Sequence, residues 1–262
     1  MDYRKIFDTI PEEFDKWRPR YCDGLFADII KFSQLDSSKA ALEIEPGTGQ
    51  ATEPILKTGC AYLAIELGEN FAEFMNNKYK SYDNFKLVNA DFELYDFEKE
   101  SYDLVYSAAA FQWIKEDIGY PKVYNILKSG GVFATFGVAS GSRPTALHDK
   151  MGEIYDEYDE HFKSGFDYQN YIKTRNSDGE EIDRIDKFKK YGFVDVECRH
   201  YSNTREFNYE DYISYIQTHS THIALKEPYK TNFYAAVREA IMNFGDKAIL
   251  NDDIILHIAR KP

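Results

Sequence analysis

From Ala40 to Gly137 the chain alternates short β-branched or aromatic runs with stretches of helical period, the pattern of a mostly parallel sheet covered on both faces. AALEI, AYLAIEL, FKLVNA, YDLVYSA and VFATFGV read as five strands. Between them, ATEPILKTG begins a helix near Thr52, sets Ile55 and Leu56 one turn on, and stops at Gly59, which suits a left-handed C-cap. ENFAEFMNNKYK places Phe71, Phe74, Met75 and Tyr79 on one helical stripe. PKVYNILKSGG places Val123, Ile126 and Leu127 on another before Gly130 and Gly131. After Gly137 the alternation stops. TALHDKMGEIYDEYDEHF and DRIDKFKKYG are predicted helical, VDVECRHYSNTREF alternates as a strand, NYEDYISYIQTHS and EPYKTNFYAAVREAIMNFG are helix-period with aromatic stripes, and AILNDDIILHIAR is a last strand. The expectation is an α/β, doubly wound, seven-stranded mixed sheet with a helical cap insertion. Residues 1–262 form one domain: an N-terminal helical lid (1–35), a ligand-binding core (36–140), late helices and a sixth strand (141–208), the cap insertion (209–247) and a final strand (248–262).

Composition narrows the function classes. With 43% hydrophobic and 29% charged residues over 262 positions, the chain can bury a core and is neither disordered nor a disulfide scaffold. Its net charge of −13 repels a phosphate backbone, so no nucleic-acid partner is expected. No apolar run approaches the roughly 20 residues of a membrane span, and MDYRKIFDTIPEEFDKW lacks a signal peptide's apolar core, so a cytoplasmic protein without a membrane partner is expected. Cys22, Cys60 and Cys198 are odd in number and widely spaced, and THSTH lacks a third ligand, so no metal site is expected.

The chemistry points to ALEIEPGTGQATEPIL, a strand entering a glycine-containing turn and then a helix. In a doubly wound sheet such a turn lies at the carboxyl end of the first strand, where Gly47 and Gly49 let backbone approach a ligand and the helix start offers free N–H groups. Glu66 ends the second strand, where an acid can accept from both hydroxyls of a ribose. Asp91 follows the third strand, where a carboxylate can accept from the exocyclic amine of an adenine. Three strand ends thus converge on one adenosine-shaped ligand. A dehydrogenase fingerprint wants glycine at Thr52 and a Walker loop wants Gly-Lys-Ser/Thr; neither is present.

These segments resemble the class I S-adenosylmethionine-dependent methyltransferases over about residues 7 to 137. Glu43 to Gly49 is similar to their acid-x-Gly-x-Gly-x-Gly motif, Glu66 and Asp91 to the acids closing their second and third strands, YDLVYSAAAFQWI to their fourth-strand segment, and LKSGG to the turn before their fifth strand. FDTIPEEFDKWRPRY resembles the N-terminal helix of small-molecule members, and SAAAFQWI a segment of trans-aconitate and malonyl-carrier-protein O-methyltransferases. The resemblance implies S-adenosyl-L-methionine as cofactor, S-adenosyl-L-homocysteine as product, and a cofactor site made by Glu43, Glu45, Gly47, Thr48, Gly49, Glu66, Leu67, Asp91, Phe92 and Ala108. One departure stands out: the family's first glycine is Glu45 here, followed by Pro46. Glu45 either accepts from the cofactor's ammonium and balances its sulfonium, or repels its carboxylate.

Methyl transfer implies a small-molecule acceptor, methylated at the oxygen of a carboxylate or hydroxyl, and needs mainly a nucleophile held in line in a water-poor pocket. Candidate acceptor residues are Arg18, Arg20, Gln112, Trp113, Arg143, Tyr215 and His219, with His148, Arg205 and His222 behind them. The rival readings are an adenosylmethionine-binding protein without activity, for which Glu45 is the hint, and a nicotinamide oxidoreductase.

Overall fold

The computed structural model describes residues 2–142, 145–165, 167 and 184–262. A 3-10 helix (Tyr3–Thr9) and α1 (Pro11–Trp17) precede α2 (Asp23–Ser33). The core then runs β1 (Ala40–Ile44), α3 (Thr52–Leu56), β2 (Ala61–Glu66), α4 (Glu69–Tyr79), β3 (Phe85–Asn89), β4 (Tyr102–Ala108), a 3-10 turn (Phe111–Trp113), α5 (Glu116–Ile126) and β5 (Leu127–Ser142). It ends with α6 (Ala146–Gly165), α7 (Arg184–Lys190), β6 (Val194–Phe207), α8 (Tyr209–Ile216), α9 (Ser220–Ala224), α10 (Tyr229–Asn243) and β7 (Ala248–Arg260). The seven strands lie in the order β3-β2-β1-β4-β5-β7-β6, parallel except that β7 runs antiparallel to both β5 and β6. This is the doubly wound mixed sheet anticipated from the alternation, with strand order reversing between β1 and β4.

Alternation along the strands sorts side chains to two faces. Leu104, Tyr106, Val132 and Ala134 pack with Leu25, Ile29, Ile55 and Met75 from α2, α3 and α4. Val105 and Phe133 pack on the other face with Tyr120, Val123 and Ile126 of α5 and Phe188 of α7. The stripe proposed for α4 is buried at Phe71, Met75 and Tyr79 and only half-buried at Phe74. The helix expected from Pro121 starts earlier, at Glu116, with Glu116 and Asp117 in its first turn and Pro121 inside it, and the added turn buries Tyr120 beside Val123 and Ile126.

A third core forms away from the sheet faces. Met151, Ile154 and Phe162 of α6 pack with Tyr215 and Ile216 of α8 and with Phe233, Val237 and Ile241 of α10. The helical cap therefore includes α6 as well as the segment after Phe207. Its centre holds His222, whose ring nitrogens face Tyr155 Oη at 3.1 Å and Tyr234 Oη at 3.2 Å. Burial pushes the His222 imidazole down to about 3, so it stays neutral in the folded protein. Below the ordinary histidine range near 6.5, the unfolded chain takes up a proton that the folded cap refuses, and stability is lost as pH falls toward 3. We expect the wild-type melting temperature to drop between pH 6.5 and 4, by an amount corresponding to a few kcal/mol, and His222→Gln to flatten that decline. Parallel pH profiles for the two proteins would refute the assignment.

Candidate active site

A cavity of about 450 Å³ opens at the carboxyl ends of β1, β2, β3 and β4, within the size range of small-molecule sites. Its acidic lining is Glu45, Glu66 and Asp91, with Gly47, Leu67 and Ala108 beside them. The turn after β1 is built for close approach. Gly47 and Gly49 have φ of +59° and +83°, and a Cβ on Gly49 would lie 2.7 Å from Met75 Sδ. Tyr79 Oη donates to Gly49 O at 3.0 Å and Lys78 Nζ to Thr48 O at 2.9 Å, fixing the turn against α4.

Glu66 holds the two loops together. One carboxylate oxygen accepts from Gly47 N at 2.9 Å and the other from Gly68 N at 2.8 Å. Glu45 crosses from the neighbouring loop, accepts from Leu67 N at 3.2 Å, and meets the Glu66 carboxyl. Burial, and then repulsion from Glu66, raise Glu45 well above the carboxylate range, and burial raises Glu66 as well. Two carboxyls this close cannot both ionise, so the pair keeps one proton, with Glu45 as donor. Asp91 Oδ1 accepts from Glu93 N at 2.8 Å, and Oδ2 meets Arg4 Nη1 at 2.7 Å. That arginine comes from the first 3-10 helix, which is tied to α4 by Asp8: its Oδ1 accepts from Phe71 N at 2.8 Å, while Asn70 Nδ2 donates to Asp8 O at 2.8 Å.

Other anticipated residues lie elsewhere. Glu43 and Glu45, both expected at the cofactor site, part company: β1 ends at Ile44, and the left-handed backbone at Glu45, φ +52°, breaks the strand alternation between them. Glu43 is wholly buried beneath the turn, accepts from Thr52 Oγ1 at 2.5 Å and from Tyr62 Oη, and does not line the cavity. Burial pushes its carboxyl up to about 7. Thr48, Gly49 and Phe92 support the wall from behind and do not line it. Of the acceptor candidates, Arg18, Gln112, Trp113, Tyr215 and His219 line the cavity. Arg20 instead turns away to Asp15, Arg205 pairs with the buried Asp252 at 2.5 Å, and Arg143 lies outside the described residues. His148 lines a separate hollow against α10, and His222 belongs to the cap core.

Sequence reasoning missed Arg4, Phe7, Phe14, Tyr21, Gln50 and Phe71, all of which line the cavity. The aromatic spacing Phe7, Phe14 was a usable signal, since both lie in the segment already read as a lid. Phe14 packs on Phe71 at 5.0 Å and Phe7 edge-on against Trp113 at 5.8 Å. The Arg18 guanidinium lies 5.2 Å from the Phe14 ring, and burial with the Arg18 charge holds His219 well below its ordinary value. Among the described residues, no group of three or more His, Cys, Asp or Glu side chains is arranged to hold a metal ion.

A doubly wound sheet ending in an antiparallel β7, with acids closing β2 and β3 and a glycine turn after β1, defines the class I S-adenosylmethionine-dependent methyltransferase fold. Residues 42–135 match the family model described as a methyltransferase domain. A malonyl-[acyl-carrier protein] O-methyltransferase of Paenibacillus sp. is 33% identical over 128 residues, 45% of each protein. A ribosomal RNA small subunit methyltransferase A of Dehalococcoides mccartyi is 31% identical over 68 residues, 26% of this chain and 23% of that one. The matched segments span less than half the length of these relatives. Among solved structures, a protein of Anaeromyxobacter dehalogenans assigned as a type II methyltransferase shares the fold with a TM-score of 0.64 at 17% identity, over 93% of this chain and 97% of that one.

The residues fit the cofactor. Each oxygen of Asp91 has one partner and a further lone pair; of the Glu66 oxygens, Glu45 takes the spare lone pair of one and the other keeps its own, and Gly47 leaves the approach to them open. The protonated Glu45 also generates a stability prediction. Its raised value means the folded state keeps a proton that the unfolded chain releases above about 4.5, so wild-type stability declines as pH rises from there. Glu45→Gln removes that penalty. We expect it to be near neutral at pH 4 and stabilising by about 1 to 2 kcal/mol at pH 8, read from denaturant midpoints. Equal effects at both values would show that Glu45 ionises freely.

Proposed function

We propose that this protein transfers the methyl group of S-adenosylmethionine to a small-molecule acceptor at oxygen, with a carboxylate as the acceptor group. The observation that carries this reading is the cavity itself, in which acids at the ends of β2 and β3 share one space with Arg18, Trp113, Tyr215 and His219. Glu66 would hold the ribose diol and Asp91 the adenine amine, while Gly47, Leu67 and Ala108 shape the wall. When bound, the cofactor supplies an already activated methyl group. Arg18 then orients an anionic acceptor, and Phe7, Phe14 and Trp113 exclude water. His219, held neutral and weakly basic, is poorly suited to deprotonating a phenol, whereas a carboxylate needs no base.

The chain's −13 charge favours a small acceptor over nucleic acid, and the ribosomal RNA relative is the reason to include RNA among the trial substrates. No helix among the described residues is long and apolar enough to cross a membrane. A cytoplasmic setting is part of the proposal, supported by three cysteines that form no disulfide among the described residues.

Calorimetry should show binding of S-adenosylmethionine and S-adenosylhomocysteine, with Glu66→Ala weakening both about 10-fold to 100-fold and Asp91→Ala losing the preference for adenosyl over inosyl analogues. Binding of NAD alone would overturn the proposal. In turnover with a panel of carboxylic acids, phenols and RNA, Arg18→Ala should raise the KM for acids at least 10-fold and leave cofactor affinity within about 2-fold. Tight cofactor binding without methylation of any of them would support the binding-only reading that Glu45 suggests.

A further inference from the structure

The β6–β7 ladder, at the far edge of the sheet from the cavity, carries a cluster that methyl transfer does not use. Its register pairs Cys198 with His257 and His200 with Ile255, so Cys198, His200, His257 and Asp253 project from one face. Cys198 is exposed, with Sγ 3.7 Å from His200 Nε2 and 3.6 Å from His257 Nε2. His200 Nδ1 in turn lies 3.1 Å from both carboxylate oxygens of Asp253. Asp253 accepts the Nδ1 proton, which leaves Nε2 as the acceptor facing the thiol. This is the order nucleophile, base, orienting acid. On the β5 side, Arg184 reaches Thr135, the ladder partner of His257, and adds positive charge near the cluster.

We propose that Cys198 is a thiol-exchange site that takes low-molecular-weight disulfides. The Cys198 proton passes to His200 Nε2, and the thiolate attacks one sulfur of the disulfide. A new Sγ–S bond forms as the old S–S bond breaks, and the departing thiolate is protonated from the imidazolium. Cys198 is thereby oxidised to a mixed disulfide while one half of the reagent is reduced to a thiol. The other two cysteines do not share this setting: Cys60 is buried and Cys22 is half-buried against the α2 core.

The test treats the whole protein with a chromogenic aromatic disulfide and locates the adduct by peptide mass spectrometry. At pH 6.5 the first adduct should fall on Cys198. His200→Gln, His257→Gln and Asp253→Asn should each slow it about 3-fold to 10-fold, with little effect at pH 9, where an ordinary thiol ionises unaided. Circular dichroism and cofactor binding check that these substitutions leave the fold intact. A first adduct on Cys22, or a Cys198 rate at pH 6.5 unchanged in all three variants, would overturn the proposal.

Discussion

The buried Glu66 carboxylate is the interaction on which the site depends. Its two oxygens accept backbone N–H groups from the loop after β1 and the loop after β2, so one side chain fixes the spacing of two strand ends. Hydrogen bonds to a charged acceptor contribute roughly 1.5 to 3 kcal/mol each, and an unsatisfied buried acid would cost as much or more. The adjoining Glu45 is tolerated because it surrenders its charge: a protonated acid beside an ionised one replaces a repulsion with a hydrogen bond. The loops therefore reach their geometry without a ligand, and Asp8 carries the arrangement outward by capping α4 beside Gly68.

Charge in the cavity differs from charge over the whole chain. A protein of net −13 would repel an anionic acceptor, yet the cavity places Arg18 against the faces of Phe7 and Phe14, where aromatic contact helps to hold it. Arg205 shows the contrasting case. Its pairing with buried Asp252 and its stacking on Tyr215 commit it to the cap, and it serves the site by holding Tyr215 in place.

The sheet was legible because each core strand is a short apolar run closed by a turn signal, and period-two alternation then sorts Leu104 and Val105 to opposite faces. Glu66 and Asp91 were legible because strand ends in this topology converge. Glu43 was misplaced because spacing reveals only that an acid is near the turn; Tyr62 and Thr52, which draw it beneath the floor, come from other elements. The same limit hid Arg4 and Tyr21, whose place in the cavity depends on how a terminal segment folds back, a long-range contact that leaves no period in the chain.

The Arg4 contact shows how the proposed adenine end is kept ready. Arg4 is gripped by Asp2 at 2.7 Å and reaches Asp91 at 2.7 Å, so the acid that would receive an exocyclic amine already has a cationic partner. Asp91 Oδ2 retains a lone pair, and the side chains of both residues are only about one-fifth or less exposed. An entering adenine would thus donate its amine to an oriented carboxylate and would not have to draw a bare charge out of water. With Arg4 matching Asp91 and one proton shared by Glu45 and Glu66, the acids of this end are largely compensated before a ligand arrives. Selection then rests on donor geometry more than on the cofactor's positive charge, which is how such a site would also retain the uncharged sulfur of the demethylated product.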